Sequence, residues 1–248
     1  MRRSAFFGSA ILLLVWLLVT TTGLISRLFL PSPIAVFKKL YLLVTSYQIL
    51  WDVLATLQRT LLGFLIGCLV GVLIGLAMGH YKRFYETMEF PVDFFRSIPA
   101  TALFPLFIVI WGLGDEVKIF IAAWASSMVV LINTIYGIRD VAVIRLMVAK
   151  MRRASFIKTF CKVMIPNALP YIFAGMRVGL SLALVVEIVA EMFLGSQSGL
   201  GRRVYNATSI FEMEEAYATV VVIGLVGYLL NKAIILTESK VVHWSGNS

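Results

Sequence analysis

The chain has 248 residues, of which 60% are hydrophobic and only 14% charged, with a formal net charge of +9. Soluble domains carry about 45–50% apolar and about 25% charged residues, so this composition excludes an ordinary soluble protein. Several apolar runs approach the ~20 residues that cross a bilayer, which predicts an all-α integral membrane protein whose positive charge is the cytoplasmic excess of Lys and Arg rather than a footprint for nucleic acid.

The opening MRRSAFFGSAILLLVWLLV looks like a signal peptide with two arginines. No A-x-A-like cleavage site follows and the apolar run is long, which predicts an uncleaved first span, roughly Phe6 to Ile25. In LPSPIAVFKKL, Ser32 and Pro33 supply an N-cap and a first helical residue. Ile34, Phe37, Leu40, Tyr41 and Val44 then recur at helical spacing, the pattern of an amphipathic helix at the membrane interface. A further helix begins near Ile49 and leads into span two, roughly Thr60 to Gly79. That span carries Gly63, Gly67, Gly71, Gly75 and Gly79, a small-residue groove into which another helix can sink; a glycine-lined pore wall is the alternative.

His80 to Arg96 reads as a short polar loop. Span three, roughly Ile98 to Leu113, holds Pro99 and Pro105, which predict a kink or a broken start. GLGDE, Gly112 to Glu116, is a tight turn. Span four runs roughly from Val117 to Tyr136 and contains Asn133.

The stretch from Asp140 to Arg177 is the longest polar interruption between two apolar runs, with one acid, Asp140, against seven basic residues. Two short helices are expected in it. The first runs from Val141 to Met151 with Asp140 as N-cap; the second runs from Ser155 to Ile165 with Ser155 as N-cap and Pro166 as the stop. Phe156 and Phe160 share one face of the second helix, Lys158 and Lys162 another. Such a cationic elbow can anchor topology, or it can be gripped by a cytoplasmic partner.

Span five, roughly Tyr171 to Leu194, contains Arg177, Glu187 and Glu191. Glu187 and Glu191 are four apart and share a helix face. Ionisable residues within a membrane usually face the bundle interior or a water-filled path, so both are candidates for the translocation route; the alternative is that Glu191 bonds the loop that follows. Asn133 and Arg177 are read first as packing or snorkelling residues, with Asn133 kept as a weaker route candidate. A Gly- and Ser-rich connection, GSQSGLGRR, leads to a polar loop, and span six covers roughly Ala216 to Leu236.

Six spans put both termini on one side. With Lys118 and Lys232, near span ends, counted with their adjoining loop and tail, fourteen of the 22 basic residues fall on the side of the termini and elbow, seven on the other, and Arg177 lies within a span. This asymmetry places both termini and the elbow in the cytoplasm. The expected organisation is residues 1–58 for the first span and interfacial helix, 59–240 for the main transmembrane domain with the elbow at about 140–166, and 241–248 for a short tail.

The chain lacks G-x-x-x-x-G-K-[ST] and so has no phosphate cradle of its own. Its two histidines, His80 and His243, assemble no triad and no metal site. Cys68 and Cys161 are expected at different depths and unpaired. A membrane enzyme is therefore poorly supported, and a binding or translocating bundle is favoured.

The elbow followed by IPNALPYIFAGMRVGLSLALVVEIVAEM resembles the membrane subunits of bacterial ABC importers of the nitrate, sulfonate and taurine type. LPSPIAVFKKL, QRTLLGFLIGCLVGVLIGLAMG, RSIPATALFPLFIVIWGLGDEVKI and NTIYGIRDV resemble the successive blocks of that family in order, so the likeness spans nearly the whole chain. The resemblance implies a permease of about six transmembrane helices, with the elbow between spans four and five as a coupling helix for a separate ATPase subunit. That family's signature there reads approximately E-A-A-x-x-x-G, then I-x-L-P. Met147, Val148 and Ala149 occupy the first three positions and Arg153 the glycine position, and the close is Met164-Ile165-Pro166, so of the first part only Ala149 survives.

The coupling residues implied are Met147, Val148, Ala149, Lys150, Met151, Arg152, Arg153, Ala154, Ser155 and Phe156. The implied partners are ATP-binding ATPase subunits that hold the ATP and Mg²⁺, a second permease copy, an extracytoplasmic solute-binding protein and membrane lipid; no cofactor is expected in this chain. The location implied is the bacterial inner membrane. A non-transporting membrane scaffold and an autonomous secondary transporter are the alternatives, and the sequence leaves the solute open.

Overall fold

The centre of the protein is the contact between two long apolar helices. In the computed structural model, which describes residues 2–141 and 143–242, the chain forms α1 (Arg2–Thr22), α2 (Pro33–Thr45), α3 (Gln48–His80), α4 (Lys82–Arg96), a 3₁₀ turn (Ala100–Leu103), α5 (Phe104–Trp111), α6 (Asp115–Arg139), α7 (Val143–Met151), α8 (Phe156–Thr159), a π turn (Phe160–Met164), α9 (Ile165–Phe193), α10 (Leu200–Ser209) and α11 (Met213–Val241). Ala142, within the expected first elbow helix, and the tail from His243 lie outside the described residues.

Helices α3, α6 and α9 form the core, with α6 in the middle. The glycines of α3 face α6. A Cβ on Gly67 would stand 2.1 Å from Ser126 Oγ, and one on Gly71 2.6 Å from the Ser127 carbonyl. Gly63, Gly75 and Gly79 meet Ile119, Thr134 and Ile138 just as closely. The α6 serines and Thr134 turn their hydroxyls onto carbonyls of their own helix, so the contact buries no unpaired hydroxyl there. On the other side of α6, Gly137 and Gly175 let α9 approach at Ala168 and Asn133.

Four helical segments are long and apolar enough to cross a membrane: Gln48–His80, Asp115–Arg139, Phe156–Phe193 and Met213–Val241. The pair Lys82–Arg96 and Ala100–Trp111, bent by 88°, brings the number to five, and α1 contributes a shorter apolar segment, Ala10–Thr22. At 1.5 Å per residue the 33-residue α3 is about 50 Å long, well beyond the hydrocarbon layer. Its first turns therefore project past one end, and they carry Asp52, Thr56 and Arg59.

Several local expectations change. His80 to Arg96 is not a loop: α4 forms there, braced by Lys82–Glu86, Tyr85–Glu89 and Asp93–Arg96 at helical spacing. Pro99 caps the 3₁₀ turn and Pro105 sits in the first turn of α5, so the proline pair does break this span. The GSQSGLGRR connection is shorter than expected, because α10 starts at Leu200, which is fully buried. Asp140 caps the end of α6, and its carboxylate accepts from Tyr171 OH.

Ser155 does cap α8, accepting from the Lys158 amide, but Pro166 does not stop the helix. The preceding turn widens, with the Ile165 amide donating to Phe160 O five residues back, and the proline, which has no N–H, falls in the first turn of α9. Ser32 caps α2 at the Ala35 amide. The protein-facing side of α2 is Val36, Leu40 and Leu43, while Ile34, Phe37, Tyr41 and Val44 remain outside.

Candidate functional site

The elbow stands at the end of the bundle where α6 finishes and α9 begins. Three contacts tie it down. Arg145 donates to Asn167 Oδ1, and Asn167 Nδ2 donates to the Gly137 carbonyl of α6. Phe156 stacks with Phe160, ring centroids 6.0 Å apart, and His80 at the end of α3 packs 4.8 Å from Phe156. Ala149 is buried against the body. A displacement of α7 or α8 is therefore felt by α3, α6 and α9 together.

The outer side of the elbow is apolar and exposed. Ile144, Met147, Val148, Met151, Phe156 and Ile157 are open, Met151 to 84%. Lys150, Arg152, Arg153 and Lys158 surround them, all exposed. No carboxylate forms a salt bridge with any of these four among the described residues. An apolar tip with a cationic rim suits a partner surface that has an apolar groove and acidic edges.

The turn between α7 and α8 has a specific geometry. The Ala154 amide donates to Ala149 O at 3.0 Å and the Arg153 amide to Lys150 O at 2.9 Å. This pair of bonds is a Schellman ending, which places its C′ residue in the left-handed region and favours glycine there. Arg153 occupies that position with φ +49°. The Cβ disfavours this conformation by about 1–2 kcal/mol.

The opposite end of the bundle holds a buried charge network. Arg59 Nη1 lies 2.8 Å from Glu191 Oε1 and donates to the Ser198 carbonyl at 2.9 Å. Arg59 Nε stands 2.9 Å from Asp115 Oδ1, an ion pair without a linear hydrogen bond. Thr56 Oγ1 donates to Glu191 and accepts from the Leu200 amide. Glu191 Oε2 also accepts from the Gly201 amide at 2.8 Å. Gly199, at φ +137°, brings its backbone so close that a Cβ would stand 2.3 Å from Glu191 Oε1. Glu191 thus holds the segment after α9 against α3.

The network continues outward. Asp52 accepts from the Gly199 amide and pairs with Arg203 at 2.6 Å. Arg203 pairs with Glu215 at 2.7 Å, and Glu215 with Lys39 at 2.9 Å. The hydrogen bond that Lys39 donates to Glu215 raises the Lys39 pKa above the ordinary lysine value, against a smaller opposing effect of burial. Helices α2, α3, α10 and α11 are thereby cross-linked at one end.

Of the three route candidates, Glu187 and Glu191 lie together and are fully buried among helices, and no protein donor among the described residues reaches either oxygen of Glu187. Asn133 is elsewhere, against Gly175 where α6 meets α9, with its amide on the Val129 carbonyl. Arg177 pairs with Glu238 of α11. Reading the sequence missed Arg59, Thr56, Asp52, Asp115 and Arg203. The available signal was Asp52, Thr56 and Arg59 at helical spacing on the polar approach to span two.

A helical membrane bundle with an exposed apolar elbow at one end and a cross-linked loop layer at the other is the architecture of a polytopic membrane protein. The family model described as binding-protein-dependent transport system inner membrane component matches residues 63–236. A probable ABC transporter permease protein of Brucella melitensis is 31% identical over 92% of this chain and 92% of that protein. A putative aliphatic sulfonates transport permease protein of Bacillus subtilis is 30% identical over 95% of this chain and 85% of that protein. The structure of the MetNI methionine ABC transporter superposes with a TM-score of 0.68 at 18% identity, over 80% of this chain and 96% of that one. The chain belongs to the family of binding-protein-dependent transport system inner membrane components, and it is an ABC transporter permease.

Proposed function

We propose that this chain is the permease subunit of an ATP-driven importer for a small organic or inorganic oxyanion of the sulfonate, taurine and nitrate class. Two copies form the path. Separate ATPase subunits, which bind ATP and Mg²⁺, grip the elbows from the cytoplasm. A binding protein delivers solute at the cross-linked end. Six spans place both termini and the elbow on the ATPase side, with α1 and the bent α4–α5 pair counted as one span each.

The observation that carries this reading is the elbow. It exposes Met147, Val148, Met151 and Phe156 within a ring of cations, and it is bonded to Asn167 of α9, which in turn is bonded to α6, so force on the tip reaches the core. ATP-driven closure of the ATPases would rock the bundles between inward- and outward-open states. The solute class is supported by the sulfonate name of the Bacillus relative.

The test is charge reversal at the tip. Arg152→Glu with Arg153→Glu should weaken co-purification of the ATPase and uncouple ATP hydrolysis from uptake, while membrane insertion is kept. Unchanged assembly and coupling would leave the elbow as an anchor for anionic lipid.

A further inference from the structure

Two cavities run along one face of α6 and share a single cation. The larger, about 340 Å³, lies between the α4–α5 bend, α6 and α9. Its walls are apolar and aromatic, with Phe95, Trp124, Met128 and Leu182 among them, and Arg96 is its one charged lining residue. The smaller, about 190 Å³, continues toward the elbow end and is lined by Tyr85, Glu89, Asp93 and again Arg96. The α6 residues shared with the larger cavity, Trp124 to Ile132, lie at least seven residues from either end of that helix. At 1.5 Å per residue this is about 10 Å or more in from both ends. Arg96, the last residue of α4, reaches this cavity with its side chain 51% exposed, so the guanidinium is open to a ligand.

The guanidinium of Arg96 is held by one edge. Its Nε donates to Asp93 Oδ1 at 2.8 Å, one helical turn back. Among the described residues no acceptor bonds Nη1 or Nη2. Asp93 therefore orients the group and leaves the two-pronged edge for an oxyanion, the geometry in which guanidinium binds sulfonate, phosphate or carboxylate most strongly. Phe95 and Trp124 meet edge to face, ring centroids 5.6 Å apart, in the wall beside it. A solute with an oxyanion head and a small apolar body fits both parts.

We propose that Arg96 and the apolar cavity beside it are an anion-recognition site on the solute path, taking a small organic oxyanion with its head on the guanidinium and its body against Phe95, Trp124 and Met128. Arg96 is the specificity-determining residue and Asp93 the positioning residue. This rests on the importer reading above and deepens it by naming where in the chain the solute is read. Glu89 and Asp93 set a counter-charge on the elbow side, so the anion is held at Arg96 without being trapped deeper.

The site can be tested on the full-length chain in a neutral detergent free of anionic lipid. With Cys161→Ser removing the exposed native thiol, Met128→Cys or, separately, Val129→Cys introduces a thiol in the cavity wall for reaction with a maleimide. Benzenesulfonate is expected to slow that reaction about tenfold, whereas benzyl alcohol and benzyltrimethylammonium leave it unchanged. Arg96→Gln should abolish the protection, read as the ratio of the rates with and without ligand in the same variant, because the charged donors are gone. Arg96→Lys should retain part of it, and Asp93→Asn should weaken it less than Arg96→Gln does. Absence of protection at both thiols, equal protection in Arg96→Gln, or protection by the cation instead would overturn the proposal. The importer reading fails separately, through loss of ATPase assembly and uptake, which the labelling does not measure.

Discussion

Arg59 and Glu191 are 132 residues apart in sequence and 2.8 Å apart in space, and both are almost wholly buried. Their contact joins α3 to the end of α9 and carries the connection to α10 with it. A buried ion pair adds little net stability when replaced as a unit, yet losing one partner strands the other charge at a cost of about 3–5 kcal/mol. Arg59→Met should therefore sharply lower the thermal stability of the purified protein. Arg59→Met combined with Glu191→Gln should recover part of the loss, since the amide oxygen is neutral and can still accept from Thr56 or the Gly201 amide. A single variant as stable as the parent would show that water reaches the pair.

The α3 glycines make a second prediction. A leucine at Gly71 has backbone in its way, since the Ser127 carbonyl and Leu131 amide stand 2.6 and 3.0 Å from its Cβ position. Neither can move without shifting α6, so the cost should reach or exceed the ~1–3 kcal/mol usual for overpacking. The amount of folded, membrane-inserted protein should fall for Gly71→Leu. Gly224→Leu, with open space at its Cβ, serves as the control. Normal assembly and transport by the Gly71 variant would mean that α3 and α6 are not so close in the membrane.

Arg153 separates backbone from charge. Arg153→Gly removes the disfavoured left-handed Cβ and should stabilise the elbow turn by about 1 kcal/mol. It also removes one rim cation, which should slow ATPase association and reduce its salt dependence more than it changes the final affinity. Hydrogen exchange of the Arg153 and Ala154 amides reads the first effect, and association kinetics at two ionic strengths read the second. Faster amide exchange in the glycine variant would contradict the turn geometry.

Topology is testable by sidedness. The elbow and the α9–α10 connection lie at opposite ends of α9. In a Cys161→Ser background, Ser155→Cys and Gln197→Cys, both at exposed positions, should react with a membrane-impermeant reagent from opposite sides. Reaction of both from one side would rule out the six-span arrangement.

The apolar runs, the cation asymmetry and the elbow were all legible in the sequence, because each depends on local composition and on the bilayer as solvent. The ordered blocks of resemblance likewise needed no structure, and neither did the Ser32 and Ser155 caps, which depend on residues only three positions apart. Helix α4 was hidden by its polarity, since its Lys82–Glu86 and Asp93–Arg96 pairs look the same in a loop until the backbone aligns them. Pro166 reads as a stop, yet the wide turn before it supplies the adjustment that lets α9 continue.

What only the tertiary structure decided are the relations across long separations. Thr56 and Arg59 meet Glu191, Asp52 meets Arg203, and Arg96 comes to lie beside Trp124 and Leu182. Spacing along a helix reports which residues share its face. Which second helix lies against that face is set by the packing of α3, α6 and α9, and this depends on shape and buried area summed over the whole bundle.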